Sequence, residues 1–188
     1  LSRMMLIIDE TDHPLIIKVA SIPATRIQVY FIDNEDYFTK RLMARDENGK
    51  EYSDNGERAI FFARGVLETV KKLRWVPDII HCQGWMCSVI PLYIKKAYQD
   101  EPSFANTKIV TSLFSEQLND GLGERFKSSI NFRDVKSELL DAYGKDFGFA
   151  ELQKLAIDYS DGIIQVGNDV NPDFVKYAEE KGMPMIAS

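Results

Sequence analysis

The chain has 188 residues, 45% apolar and 28% charged; this is a globular composition, long enough to bury about 70% of the surface an unfolded chain of this length would expose. No apolar run approaches the roughly 20 residues of a transmembrane helix, so the expectation is a soluble, cytoplasmic protein with no membrane partner. Lys and Arg total 23 against 29 Asp and Glu, a formal charge of −6 spread along the chain, which sets nucleic acid aside because phosphate binding needs a basic footprint.

The chain opens on Leu1 rather than Met, with no charged-then-apolar leader, and is expected to begin inside a longer protein. The runs "HPLIIKVASIP" and "RIQVYFIDN" carry the β-branched and aromatic enrichment of two adjacent strands, with a turn at Pro23. A polar loop follows. Asp54 and Glu57 then make a capping-box-like start for a helix over "RAIFFARGVLETVKKLRW", whose apolar face carries Ile60, Ala63, Leu67 and Val70.

Beyond Pro77, "DIIHC" reads as a short buried strand, and "GWMCSVIPLYIKKAYQD" as a helix with Pro91 near its start or kinking it. "KIVTSLF" at 108 to 114 is the next strand. The Gly-punctuated stretch from about 118 to 148 is a lid or binding loop, or else a surface excursion holding one or two helical turns. "FAELQKLAIDYSDGIIQV" gives a helix running into a strand at 162 to 166; Asn171 and Pro172 cap and open a last helix that Gly182 ends. Strands alternating with helices predict an α/β fold: one three-layer, Rossmann-like domain over residues 1–188 with a mainly parallel sheet.

In such a sheet ligands sit beyond the carboxyl ends of the strands. That rule selects His81 to Trp85 after "DIIHC" and Phe114 to Gln117 after "KIVTSLF". Cys82 and Cys87 have no second Cys or His pair to complete a zinc site and read as free thiols. Neither a metal nor a cofactor is expected, and no G-x-G-x-x-G follows a predicted strand.

The ordered motifs carry a resemblance. "DNGERAIFFARGVLETVKKLRWVPDIIHCQGWMCSVIPLYIKK" resembles the amino-terminal domain of the bacterial and plant glycogen and starch synthases, which reads D-N-x-x-R-F-x-x-F-x-x-A-x-L-E, then P-D-(I/V)-(I/V)-H-x-H-D-W-H, then P-L-Y-L-K. "VYFIDNEDYF" and "LQKLAIDYSDGIIQVGNDVNPDF" are similar to further family segments, and the likeness spans roughly residues 25 to 180. It implies the amino-terminal domain of a GT-B glycosyltransferase, a family that transfers glucose, with retention, from ADP-glucose or UDP-glucose to an α-1,4-glucan across a cleft between two domains. The chain would correspond to the first domain only, incomplete at its amino end, without the family's K-T-G-G-L loop and without a counterpart of the donor-binding second domain.

Within the resemblance, His81 and Trp85 match their counterparts, whereas the second His falls on Gln83, the Asp on Gly84 and the final His on Met86. The His of the family's T-I-H-N run falls on Phe114, and its Asn on Ser115. A thioether cannot reproduce an imidazole's hydrogen bonding. No residue is therefore assigned a catalytic role; His81, Gln83, Trp85, Met86, Phe114 and Ser115 are the expected substrate-binding set. Each also has a packing reading, His81 as a hydrogen-bonded strand-end residue, Trp85 as a helix-to-sheet anchor, Met86 and Phe114 as apolar lining. Two functions stay open: the amino-terminal half of a glucosyltransferase, inactive alone, or a non-catalytic glucan-binding or regulatory module derived from that family. The partners implied are an α-1,4-glucan, a nucleotide sugar, and a carboxy-terminal domain or a partner synthase.

Overall fold

The computed structural model describes residues 2–188. Its strands form two sheets. An antiparallel meander, β1 (Ser2–Ile8), β2 (Thr11–Ser21) and β3 (Gln28–Asp33), precedes a parallel sheet in the order β4 (Ile79–Gln83), β5 (Lys108–Leu113), β6 (Gly162–Gln165), β7 (Met185–Ala187). The expected hairpin is β2 and β3, closed by Ile22 N–H donating to Ile27 O at 3.0 Å. Strand β1 extends it through a tight turn in which Asp9 and Glu10 both hold positive φ, 51° and 61°. Asp-Glu is an unusual pair for such a turn, which Asn-Gly or Asp-Gly normally forms. Here the Asp9 carboxylate is held by Ser128 Oγ at 2.9 Å and Arg125 Nη2 at 3.1 Å, and these bonds lower its pKa.

The long helix α1 (Asn55–Lys72) touches both β1 and β3 of the meander and the elements that follow β4. Its expected apolar face is real: Ile60, Ala63 and Leu67 are fully buried, and Val70 packs on the same core. The expected capping box is not. Asp54 is the N-cap but its side chain bonds no helix amide; both carboxylate oxygens go to Arg41, with Nη1 to Oδ2 at 2.9 Å, while Glu57 accepts from Tyr37 Oη at 3.1 Å. A bidentate guanidinium outcompetes a backbone amide for a carboxylate because both partners are charged.

The strands "DIIHC", "KIVTSLF" and "GIIQV" are parallel neighbours, as expected. The first is less buried than its sequence suggests: β4 ends the strand order, Ile79 is 62% exposed and His81 is exposed, with only Cys82 fully covered. After β4 comes a 3-10 turn over Trp85–Cys87, then α2 (Ile90–Lys96) with Pro91 in its first turn, where a missing N–H costs nothing. The excursion from 118 to 148 holds α3 (Phe126–Ile130) and a 3-10 stretch over Ser137–Tyr143, and Leu118, Leu122, Ile130, Val135 and Leu140 are all buried. Its apolar anchors make it part of the core rather than a lid. Finally α4 (Phe149–Asp158) leads into β6, and α5 (Pro172–Glu180) starts on Asn171, whose side chain accepts from Asp173 N–H at 3.0 Å, and ends at Gly182 with φ 68°. Among the described residues no helix is long and apolar enough to cross a membrane.

Candidate functional site

The parallel strands deliver β4 and β5 side by side, Gln83 level with Ser112, so the loops leaving them face one crevice. At the end of β4 the chain turns at Gly84, with φ 87° and ψ 164°, a region open to glycine and strained for other residues. This turn drops Trp85 (3% exposed) and Met86 (8% exposed) into the interior. From β5 the chain runs past half-buried Phe114 and exposed Ser115 to Glu116, whose Oε1 accepts the Trp85 N–H at 2.7 Å. A side chain at position 84 would put its Cβ 3.4 Å from the same oxygen. Glu116 thus sits directly over the turn.

A strap over residues 41–45 makes the third wall. Arg58, 1% exposed on α1, holds it: Nε donates to Tyr37 O at 2.9 Å, Nη1 to Met43 O and Asn55 Oδ1, and Nη2 to Leu42 O, all at 2.8 Å. Burial, with Arg41 nearby, pulls the Arg58 pKa down to about 10, which leaves it cationic at neutral pH. Asn55 Nδ2 adds a bond to Ala44 O at 3.0 Å. Arg45 then ties the strap to the loop after β5, donating to Gln117 O at 2.7 Å and pairing with buried Glu51 at 3.1 Å; Glu51 in turn accepts the N–H groups of Asn119 and Asp120. The carbonyls of Leu42, Met43 and Ala44 and the charges of Arg41, Arg45, Arg58 and Glu51 all have partners, so this frame is preorganised.

Two cavities open there. One, of about 360 Å³, is lined by Gln83, Met86, Cys87, Arg41, Arg58 and Phe62; the other, of about 340 Å³, by Trp85, Glu116, Gln117 and Arg45. They share Leu42 and Met43, which are 54% and 66% exposed at the lip. Both volumes fall at the small end of the range for ligand sites. The structure therefore brings Gln83, Trp85 and Met86 to one crevice. His81 stands apart on β4, its Nε2 2.7 Å from Ser112 Oγ and its Nδ1 3.4 Å from Gln83 Nε2, and Phe114 and Ser115 line neither cavity.

Cys82 and Cys87 are free thiols, and burial pushes both pKa values up, so neither is a nucleophilic thiolate at neutral pH. Among the described residues no cluster of His, Cys, Asp or Glu is placed to hold a metal ion. Sequence reasoning missed Arg58 and the strap it holds, and it selected Phe114 to Gln117 without singling out Glu116. For Arg58 a signal existed: it falls on the Arg of the family's D-N-x-x-R run, two residues before Ile60 of the apolar face. Glu116 lies in the polar run "SEQLND", which has no pattern to single it out.

A family model described as "Starch synthase catalytic domain" matches residues 3–183. The glycogen synthase of Chlorobium luteolum is 42% identical over 106 residues, 56% of this chain and 22% of that protein. The glycogen synthase of Chlorobaculum tepidum is 34% identical over 154 residues, 81% of this chain and 30% of that protein, so the chain spans less than a third of either relative. Among solved structures, the catalytic domain of starch synthase IV from Arabidopsis thaliana, bound to ADP and acarbose, matches with a TM-score of 0.69 at 16% identity, over 99% of this chain and 39% of that one.

Proposed function

Because the chain belongs to the starch synthase catalytic-domain family, we propose that it forms one wall of a glucosyl-transfer cleft, the wall that holds an α-1,4-glucan. The observation that carries this reading is the charge state of the crevice. Its two cations beside Gln83 and Met86 are already committed, Arg41 to Asp54 and Arg58 to three carbonyls and Asn55, while Glu116 contributes an anion. A nucleotide diphosphate requires free cations or amides and is repelled by a carboxylate. A neutral polyhydroxylated chain requires the reverse: acceptors and an amide for its hydroxyls, and apolar side chains such as Leu42, Met43 and Met86 for its C–H faces.

The nucleotide-glucose donor, ADP-glucose or UDP-glucose in the family, is then held mainly by a second domain. Met86, where the family resemblance implies an imidazole, forms apolar wall rather than a polar contact to the transferred sugar, and Gln83 supplies orientation, while Phe114 and Ser115 stand outside both cavities. Losing preorganised polar groups around a developing positive centre lowers transition-state stabilisation. The chain by itself accordingly transfers no glucose. A second reading, a glucan-binding or regulatory module acting beside a partner synthase, is favoured by the same Met86 lining. The free, unactivated thiols suit a reducing cytoplasm.

The test is incorporation of labelled ADP-glucose and UDP-glucose into glycogen by the longest natural chain carrying these residues, together with calorimetric titration by maltoheptaose. Binding with incorporation supports the transferase wall, and binding without incorporation supports the module. Absence of glucan binding overturns both.

A further inference from the structure

Within the crevice, Glu116 has an environment unlike that of the other charged groups. Its Oε1 accepts the Trp85 N–H at 2.7 Å, and no other hydrogen bond reaches the carboxylate among the described residues. Arg45 lines the same cavity but is turned to Glu51 and Gln117 O, and none of the ion pairs among the described residues includes Glu116. Although the residue as a whole is exposed, burial of its carboxyl end against the turn raises the pKa, with the Trp85 N–H working in the opposite direction. A partly desolvated carboxylate without a cation is an arrangement that a ligand's donors would improve.

Resting on the glucan reading above, we propose that Glu116 is the specificity-determining residue of the cavity between Trp85 and Arg45: its carboxylate accepts hydrogen bonds from neighbouring hydroxyls of one pyranose unit and orients the glucan there. The geometry fits this role in three respects. The cavity, about 340 Å³, has room for a sugar ring with its water shell removed. Its lip carries Leu42 and Met43, exposed side chains able to cover a sugar's C–H face. Finally, Glu116 touches the amide that starts the 3-10 turn, so a sugar bound to the carboxylate stiffens the turn that also presents Met86 to the neighbouring cavity. The same charge rejects sugar phosphates, which makes the pocket selective for neutral saccharides by repulsion as well as attraction.

The experiment uses the longest natural chain. Calorimetry with maltotriose and with glucose 1-phosphate is run on the wild type and on Glu116→Gln, whose amide oxygen still accepts the Trp85 N–H while the charge is gone. Hydrogen exchange with and without maltotriose follows the amides of residues 83–87 and 116–118. The expected result is maltotriose binding weakened about tenfold in the variant, since hydrogen bonds to an ionised acceptor are the strong ones, with discrimination against glucose 1-phosphate reduced and the melting temperature unchanged. Ligand protection should fall on 83–87 and 116–118 in the wild type and be reduced there in the variant at the same maltotriose concentration. If Glu116→Gln does not fold, the wild-type exchange map decides: protection of these two segments supports the inference, and protection confined elsewhere overturns it. Equal maltotriose affinity in both proteins overturns the inference and leaves the glucan reading standing; wild type that binds no glucan overturns both.

Discussion

The crevice around Glu116 and the cluster around Asp158 both place a carboxylate among polar and aromatic groups beside a cavity of similar size, about 340 and 390 Å³. They differ in what the carboxylate has left to offer. Asp158 accepts the hydroxyls of Tyr143 and of Tyr177, the latter at 2.9 Å, and pairs with Lys181 at 3.5 Å; the Tyr177 ring is flanked by Lys154 and Lys181. The hydroxyls donate inward, and burial together with Asp158 raises the Tyr143 and Tyr177 pKa values. All of this joins the 3-10 stretch before α4 to α4 and α5. The cluster is a tether between elements. Glu116 has one bond to backbone and an open oxygen. Cavity volume does not separate the two places, whereas the unused hydrogen-bonding capacity of the carboxylate does.

The comparison can be broken or sharpened at four points, taken from the largest expected effect on stability to the smallest. Arg58→Met removes the cation that organises the crevice and leaves the carbonyls of Tyr37, Leu42 and Met43 without their donor. The expected loss is about 3–5 kcal/mol, the range for breaking a buried charged network, read as a lower urea midpoint, and glucan binding should disappear with the strap. A midpoint close to wild type would mean that the strap holds itself.

Asp158→Asn should cost about 1–3 kcal/mol through the tyrosine hydroxyls that lose a charged acceptor, while maltotriose affinity stays at the wild-type value. A variant that keeps its stability and loses affinity would reverse the assignment of tether and site.

A second saturated carboxylate supplies an independent check. Asp161 accepts the Ile109 N–H at 2.8 Å and pairs with Lys95 at 3.0 Å, joining α2, β5 and the start of β6. Burial alone would raise its pKa, but the amide and Lys95 outweigh burial and the net shift is downward from the ordinary 3.8. A carboxyl whose pKa is lowered by folding contributes stability that is present above the unfolded-state value and is lost as pH falls through the folded one. Acid titration of stability should thus show a loss beginning below about pH 4.5 that Asp161→Asn flattens, at a cost of about 1–2 kcal/mol at neutral pH. An unchanged acid limb in the variant would remove Asp161 from the tethering groups.

The smallest effect is expected at the site itself. Glu116→Gln should change stability by less than about 0.5 kcal/mol, the usual range for an exposed position, because the Trp85 amide keeps an acceptor and the unpaired charge is removed. A thermal scan showing a loss comparable to that of Asp158→Asn would make Glu116 another tether.

Much of this arrangement was legible in the chain. The periodicity of Ile60, Ala63 and Leu67 placed the face of α1, and Asn171, Pro172 and Gly182 bounded α5, because helix faces and caps depend on residues within a few positions of one another. The apolar runs marked β4, β5 and β6 as neighbouring parallel strands, and the rule that ligands gather at the carboxyl ends of parallel strands led to Gln83 and Trp85, with Met86 added by the family resemblance. Less visible were β1 and β7. In "SRMMLII" buried Leu6 and Ile8 alternate with exposed Met5 and Ile7, all of them apolar, so the alternation that marks a half-buried strand leaves no trace in residue type.

The sequence by itself determined the alternation of strands and helices, the core-facing stripe of α1, and the family likeness carried by its ordered motifs, because each depends on local spacing or residue identity. Only the tertiary structure decided that the Asp54 side chain serves Arg41 rather than the helix amides, that His81 turns to Ser112 away from the crevice, and that Arg58, Arg45 and Glu51 build a frame from segments up to 72 residues apart. It also decided that Glu116 meets the amide of Trp85, 31 positions away in the chain. A carboxylate finds its partner by reach and geometry, and which donors come within 3 Å of it depends on how the loops pack once the sheet has formed, a condition that no spacing along the chain encodes.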